Sequence, residues 1–393
     1  MSFARHAAPP PGEWINDPNG LIFAGGQWRL FVQHSAAAPD YQAIGWARLS
    51  SHDLLHWTWD GPVIPPNDLG QAYSGSIVTE GNEIAAYLTR HDGTLQRQVR
   101  LASDDHGLTW REGPPLGPEG RNVRDPFVFF CRATNDWRML VAEPCDWTDW
   151  AGEPPSRLAI WRRADDAWTF VAHIGPWMAS GILWEVPVLV DFGNMQALIL
   201  STVDRRSGGA DCAACYWLGH FDGADFAPTS PREGLLVDHG PDFYAAIVDA
   251  GTTPAPTLIA WASSWATART MPWPGKVHGG PISLPRHLSI APEAGRLRQT
   301  PAAEFAPSKS WTWDGTVPSV IEVGGTDCTL TVRLNPTGIA VERTGSGLDW
   351  QRSETLAIAD PQTIDLYEDS GLIELFIRPA GLTVTAFVPG ARL

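Results

Sequence analysis

Apolar residues in this chain come in short runs of about four to eight, not along one face of long helices. Such runs are Trp28–Gln33, Ser76–Thr79, Ile84–Thr89, Phe127–Phe130, Met139–Val141, Leu158–Trp161, Pro187–Val190, Ala197–Thr202 and Thr257–Ala260. Gly, Pro, Asp and Asn separate them, which is the punctuation of strands and turns. No amphipathic stretch of helical period runs beyond about three turns. The pattern predicts an all-β chain.

A repeat overlies the strands. Residues 51–57 read SHDLLHW and residues 103–110 read SDDHGLTW, with their serines 52 apart (103 − 51). Trp168 in ADDAWTF follows Trp110 by 58 residues (168 − 110), and Phe226 in GADFAP follows Trp168 by 58 (226 − 168). Each copy reads as an Asp-capped polar turn followed by an aromatic that enters a strand and packs between sheets. A unit of that length holds four strands, one propeller blade. Residues 1–300 are therefore expected to form a five-bladed β-propeller. QTPAAEFAPSKS, from Gln299, reads as a linker. Beyond it CTLTVRL (328–334), GLIELFI (371–377) and LTVTAFV (382–388) predict a small C-terminal β-sandwich over 311–393.

Composition narrows the partners. Lys and Arg total 28 against 44 Asp and Glu, a formal charge of −16. That field repels phosphate backbones and anionic lipid, so neither nucleic acid nor a membrane surface is expected as a partner. A neutral small molecule suits it. Trp numbers 20, most of it read as core, and its flat face also suits a sugar ring. No run is apolar and long enough to span a bilayer, and MSFARHAAPPPGEW lacks an apolar signal core, so a cytoplasmic location is expected. The five Cys form no disulfide framework, and Cys212-x-x-Cys215 stands without a second ligand pair. No HExxH and no Gly-rich phosphate loop occurs, so no metal and no cofactor is expected.

Three acidic motifs stand near blade spacing: WINDPNG (14–20), RDP (124–126) and WEVP (184–187). Asp17 and Asp125 are 108 residues apart (125 − 17), and Asp125 and Glu185 are 60 apart (185 − 125). Equivalent positions on the innermost strands converge at a propeller axis, so these acids are expected to share one pocket. Each is followed by Pro at once or after one residue, which favours extended backbone there, and Asn19-Gly20 reads as a tight turn. Alone, each acid reads as a turn residue. Together they read as the paired carboxylates of a glycosidase. Glu185, between Trp184 and Val186-Pro187, has the apolar neighbours of a proton donor. Asp17, among Asn16 and Asn19, suits the nucleophile. Arg124 is expected to keep Asp125 ionised.

WINDPNG, AYSGS (72–76), RDP, WEVP and DFYA (242–245) resemble, in order, the motif set of glycoside hydrolase family 32. Supporting matches are Phe31-Val32-Gln33, GWARLSSHDLLHW (45–57), WASSW (261–265) and GGPISLPRHLSI (279–290). The resemblance implies a retaining β-fructofuranosidase, invertase-like, acting on sucrose and short fructo-oligosaccharides. It implies Asp17 as nucleophile, Glu185 as acid and base, and Asp125 as the holder of fructose hydroxyls. Asn16, Gln33, Ser74, Arg124 and Asp242 match positions that grip the fructosyl ring, and Trp261 matches a pocket aromatic. Tyr41 and Tyr73 stand where the family often has Trp and Phe. Val186 replaces the usual Cys of Glu-Cys-Pro, and the loop at 34–43 lacks the usual Asn-Pro.

Two other uses of the same site are fructosyl transfer and exo-attack on levan or inulin. A different class is a sugar-binding propeller without catalysis, since SDDHGLTW also resembles the Asp-box hairpin of binding propellers. Three intact acids weigh against that class.

Overall fold

The computed structural model describes residues 3–36, 41–145, 154–165, 167–207, 211–231, 233–249, 251, 255–291, 295–345, 347–358 and 361–393. Part of the loop at 34–43 thus lies outside the described residues. The chain is all-β, and among the described residues its one α-helix is the short Trp265–Thr270. No helix among them is long and apolar enough to cross a membrane.

The described residues form seven antiparallel sheets, the last two interleaved along the chain. The first five are meanders whose strands pair in chain order, the fourth adding the two-residue strand Leu235–Leu236 against its third strand. Their first strands are Trp14–Ala24, Gln71–Glu80, Arg124–Cys131, Ile182–Asp191 and Tyr244–Val248. Each of these lies against the first strand of the next sheet, and the fifth returns to lie against the first. The ring explains the sequence pattern, because a strand covered on both faces has no polar side to alternate with. Trp14–Phe23 is buried up to Ile22.

The repeated Asp turns fall at one place in each sheet, between its third and fourth strands. Asp53 Oδ1 accepts from the backbone N–H of Leu55 and His56, at 2.9 and 2.8 Å. Asp105 Oδ1 does the same for Leu108 and Thr109. The aromatic after the turn bridges sheets: Trp110 meets Phe31 edge-on at 5.7 Å, and Trp168 meets Tyr87 at 6.0 Å.

Asn19-Gly20 is not a turn. The strand runs on to Ala24, and the reversal comes at Gly25-Gly26, both with positive φ. Gly20 answers a different need. A Cβ there would stand 2.2 Å from Ile77 Cγ1 on the neighbouring first strand, so the approach admits only hydrogen.

The last two sheets, Lys309–Trp313 with Gln362–Asp369, Leu372–Arg378 and Leu382–Phe387, and Ser319–Gly324 through Trp350–Thr355, enclose a separate core that includes Val332, Leu330, Leu375 and Val384. Leu382–Phe387 alternates Thr with apolar residues, yet all of it is buried. Its Thr face turns to the first five sheets rather than to water. There Arg286, fully buried, donates to Asp238 Oδ2 (2.9 Å), Glu374 Oε2 (2.6 Å), Thr383 Oγ1 (2.9 Å) and Thr385 Oγ1 (2.7 Å). His6 joins the same network through Asp369 and Glu374. Cys212 and Cys215 share one strand but sit in different core clusters, because positions three apart point to opposite faces.

Candidate active site

The first strands carry one device in common. In each, three steps along the strand oppose two on its partner: Ile15 to Pro18, Ala72 to Gly75, Arg124 to Phe127, Glu185 to Val188 and Tyr244 to Ile247. A β-bulge adds one residue and re-aims the side chains around it. In the third, fourth and fifth sheets its first extra residue is left-handed: Asp125 (φ 61), Val186 (φ 48) and Ala245 (φ 51). Two of these precede proline, where extended backbone was expected, so the bulge overrides the local preference.

The three acids therefore stand one step apart on the bulge, not in phase. Glu185 precedes it, Asp125 is its first residue, and Asp17 is its second. The residues preceding the bulge on three adjacent strands, Arg124, Glu185 and Tyr244, bond to one another. Arg124 Nε and Nη2 donate to Glu185 Oε1 at 3.0 and 2.8 Å, and the Tyr244 hydroxyl donates to Glu185 Oε2.

Asp17 is 8 % exposed and accepts on both oxygens. Asn16 Nδ2 donates to Oδ1 at 3.0 Å, and Ser74 Oγ donates to Oδ2 at 2.6 Å. Gln33 orders this pair by accepting from Asn16 (2.5 Å) and donating to Ser74 (2.7 Å). Asp125 Oδ2 accepts from the Val186 N–H at 3.0 Å, and the Asp125 N–H donates to Thr89 Oγ1 at 3.0 Å.

Burial pushes the Asp17 carboxyl up to about 6, with the Glu185 charge adding and the Ser74 and Asn16 bonds opposing. Burial also pushes Asp125 up. Arg124 opposes this, but its guanidinium faces Glu185 and stands 4.0 Å from Asp125, so it does not hold Asp125 in the ordinary carboxylate range as expected. The apolar neighbours of Glu185 do not surround its carboxylate either. Trp184 and Val186 point into two separate core clusters, and the carboxylate meets Arg124 and Tyr244.

One cavity of about 380 Å³ collects Asp17, Asp125, Glu185, Gln33, Ser74, Tyr41, Tyr73 and Arg124. Tyr41 packs on Tyr73 (5.7 Å) and on Trp265 (5.3 Å) in its wall. A larger cavity of about 550 Å³ lies beyond Asp125 along the first strands and holds neither Asp17 nor Glu185.

Three expected sugar contacts do not line the cavity that holds Asp17, Asp125 and Glu185. Asn16 is fully buried beneath Asp17 and acts on it. Asp242 is fully buried, bonded to Arg343 Nη1 (2.5 Å), Thr267 Oγ1 (2.5 Å) and the Phe387 N–H (2.8 Å). It ties the fifth sheet region to the last two sheets. Trp261 is fully buried, donating to Gly279 O at 2.9 Å, and packs against Trp265 at 5.2 Å. Trp265, four residues on in the same WASSW motif, is the Trp that reaches the cavity. Sequence reading also passed over His91, Gln96, Asn122, Arg205 and Arg269 in the lining, and Tyr244 behind Glu185. Only Tyr244 had a signal, within DFYA.

The glycosyl hydrolases family 32 N-terminal domain model matches residues 6–301. A levanase of Bacillus subtilis is 29% identical over 338 residues, which is 77% of this chain and 48% of that protein. An extracellular exo-inulinase of Aspergillus awamori is 28% identical over 72% of this chain and 60% of its own length. A sucrose-6-phosphate hydrolase of Zymomonas mobilis is 28% identical over 76% of this chain and 62% of its own. The chain thus spans about half to three-fifths of these curated relatives. Among solved structures, a β-fructofuranosidase from Schwanniomyces occidentalis superposes with a TM-score of 0.80 at 20% identity, covering 98% of this chain and 91% of that one. With the family model matched from His6 to Pro301, across all five bulged strands, the chain belongs to glycosyl hydrolases family 32.

Proposed function

We propose that this protein is a retaining β-fructofuranosidase that removes terminal fructosyl units from sucrose and short fructo-oligosaccharides. We read the first five sheets as the blades of a five-bladed propeller over residues 1–300, and the last two as a β-sandwich over 311–393. The closed ring of first strands supports the first reading, and the separate core of the last two sheets supports the second. The similarity to levanase, exo-inulinase and sucrose-6-phosphate hydrolase supports fructoside chemistry.

One observation carries the mechanism: Asp17 and Glu185 enter one cavity held by different partners. Asp17 accepts hydrogen bonds from neutral donors on both oxygens, which fixes its direction and leaves lone pairs for the anomeric carbon. It attacks as nucleophile. Glu185, anchored by Arg124 and Tyr244, gives a proton to the departing oxygen and then takes one from water that hydrolyses the fructosyl–enzyme ester. Asp125 accepts from fructose hydroxyls, with Gln33, Ser74 and Arg124 beside it in the wall. The neutral substrate fits a chain of net charge −16.

The test is product identification after incubation with sucrose, inulin and levan, by the wild type and Asp17→Asn. Fructose is expected from the wild type and not from the variant. Equal release by both would end the nucleophile assignment, and trisaccharide as main product at high sucrose would make the enzyme a transferase.

A further inference from the structure

The cavity of about 550 Å³ beyond Asp125 is larger than the one that holds Asp17, and the chemistry proposed above does not use it. Among the described residues, Asp125 alone lines both. The far cavity follows the first strands toward their C-terminal ends, where Thr79, Phe130, Arg132 and Asp191 are exposed. Its mouth therefore opens at the end of the ring opposite Asp17 and Glu185.

Three of the first strands leave apolar side chains unfinished there. Phe127, Phe129, Leu189 and Val248 line the cavity and are only half-buried, although each stands on a strand that is otherwise packed. Phe127 and Phe129 stack at 5.5 Å, and at the mouth Phe130, 48 % exposed, meets Trp137 edge-on at 5.8 Å. Apolar surface that faces a cavity still has its transfer free energy to gain, and a flat apolar guest supplies it. The volume lies in the range of small-molecule sites, with apolar walls and a few polar groups at one end. Those polar groups set the sign of the guest. Arg132 pairs with Asp191 at 3.6 Å, and Asp249 adds a second carboxylate to the lining. One guanidinium against two carboxylates, in a chain of net charge −16, disfavours an anion and favours a hydrogen-bond donor.

We infer that this far cavity is a second binding site, for a neutral aromatic molecule bearing a hydroxyl or amine. Its ring lies among Phe127, Phe129 and Val248, and its donor meets Asp191 or Asp249. The inference does not rest on the fructosidase reading, and no bond is made or broken in this site.

The experiment is equilibrium dialysis of the full chain against 2-naphthol and against naphthalene-2-sulfonate, which share a ring and differ in charge. One equivalent of 2-naphthol is expected to bind with a Kd of about 0.1–1 mM, and the sulfonate at least about fivefold more weakly. Val248→Glu places a charge in the apolar wall and is expected to weaken 2-naphthol at least about tenfold. Phe130→Ser, at an exposed position, is expected to weaken it about threefold. Tyr73→Ser opens the aromatic wall of the other cavity and is expected to leave the affinity unchanged. Circular dichroism checks each fold, and if Val248→Glu does not fold, the Phe130 and Tyr73 variants decide. Absence of saturable binding, equal affinity for the sulfonate, or an affinity unmoved by the folded variants of Val248 and Phe130 overturns the inference. Loss of binding in Tyr73→Ser places the guest in the cavity of Asp17 and overturns it as well.

Discussion

Replacing the proposed nucleophile is expected to make the protein more stable while it stops working. Asp17 is 8 % exposed, and burial lifts its carboxyl from 3.8 to about 6. Between those two values the folded chain binds more protons than the unfolded one. Stability therefore falls as pH rises through about 3.8 to 6 and stays low above it. The gap corresponds to about 3 kcal/mol of native-state cost at neutral pH. Asp17→Asn removes the charge and keeps the shape. Asn16 Nδ2 still finds an oxygen, and the new amide still faces Ser74 Oγ. Discounting the weaker neutral hydrogen bonds leaves an expected gain of about 1–3 kcal/mol. The assay is urea unfolding of both proteins at pH 7.5 and pH 4.5, beside fructose release. The variant is expected to unfold at higher urea at pH 7.5, with its advantage shrinking at pH 4.5. Activity is expected to fall at least about a thousandfold. A variant as stable as or weaker than the wild type at pH 7.5 refutes the claim that folding holds a destabilised carboxylate here.

Three further perturbations test the supporting structure. Tyr244→Phe removes a buried donor to Glu185 Oε2, and kcat/KM should drop about 10- to 100-fold in steady-state assays with the fold intact by circular dichroism. Arg286→Met leaves Asp238 a buried, uncompensated charge and takes from Glu374 its guanidinium partner, leaving it only His6 and a backbone N–H, and should cost about 3–5 kcal/mol by chemical denaturation; a loss under about 1 kcal/mol would count against that network. His6 is lifted to about 9, since Asp369 and Glu374 outweigh the opposing effect of burial. Its stabilisation is complete below pH 6.5 and is lost as pH rises through about 9, so the wild type should lose about 3 kcal/mol over that range. His6→Gln should flatten that slope.

The sequence carried the all-β class, the turn repeat and the acids, because each leaves a local mark: a strand run, an Asp before an aromatic, an acid near Pro. It did not carry how the acids are aimed. Asp17, Asp125 and Glu185 stand on successive positions of equivalent bulges, and a bulge is one extra residue. On a strand with a polar face, such an insertion shows as a break in alternation. Trp14–Ile22 is buried throughout, and Phe127 to Phe130 and Val188 to Val190 are apolar on both faces, so these strands offer no polar alternation to break. The same blindness explains Asp242 and Trp261. Their motifs place them in the right region, but chain order does not say which side of the backbone meets the cavity. For Asp242 the deciding partner, Arg343, lies 101 residues away in another sheet. That pairing also changes what the last two sheets do. Asp242 and Arg286 both complete their hydrogen bonds only with groups from those sheets, so the C-terminal region satisfies buried charges of the first five sheets. Removing it would leave those charges unmet, which makes it part of one fold with the first five sheets rather than an appended module.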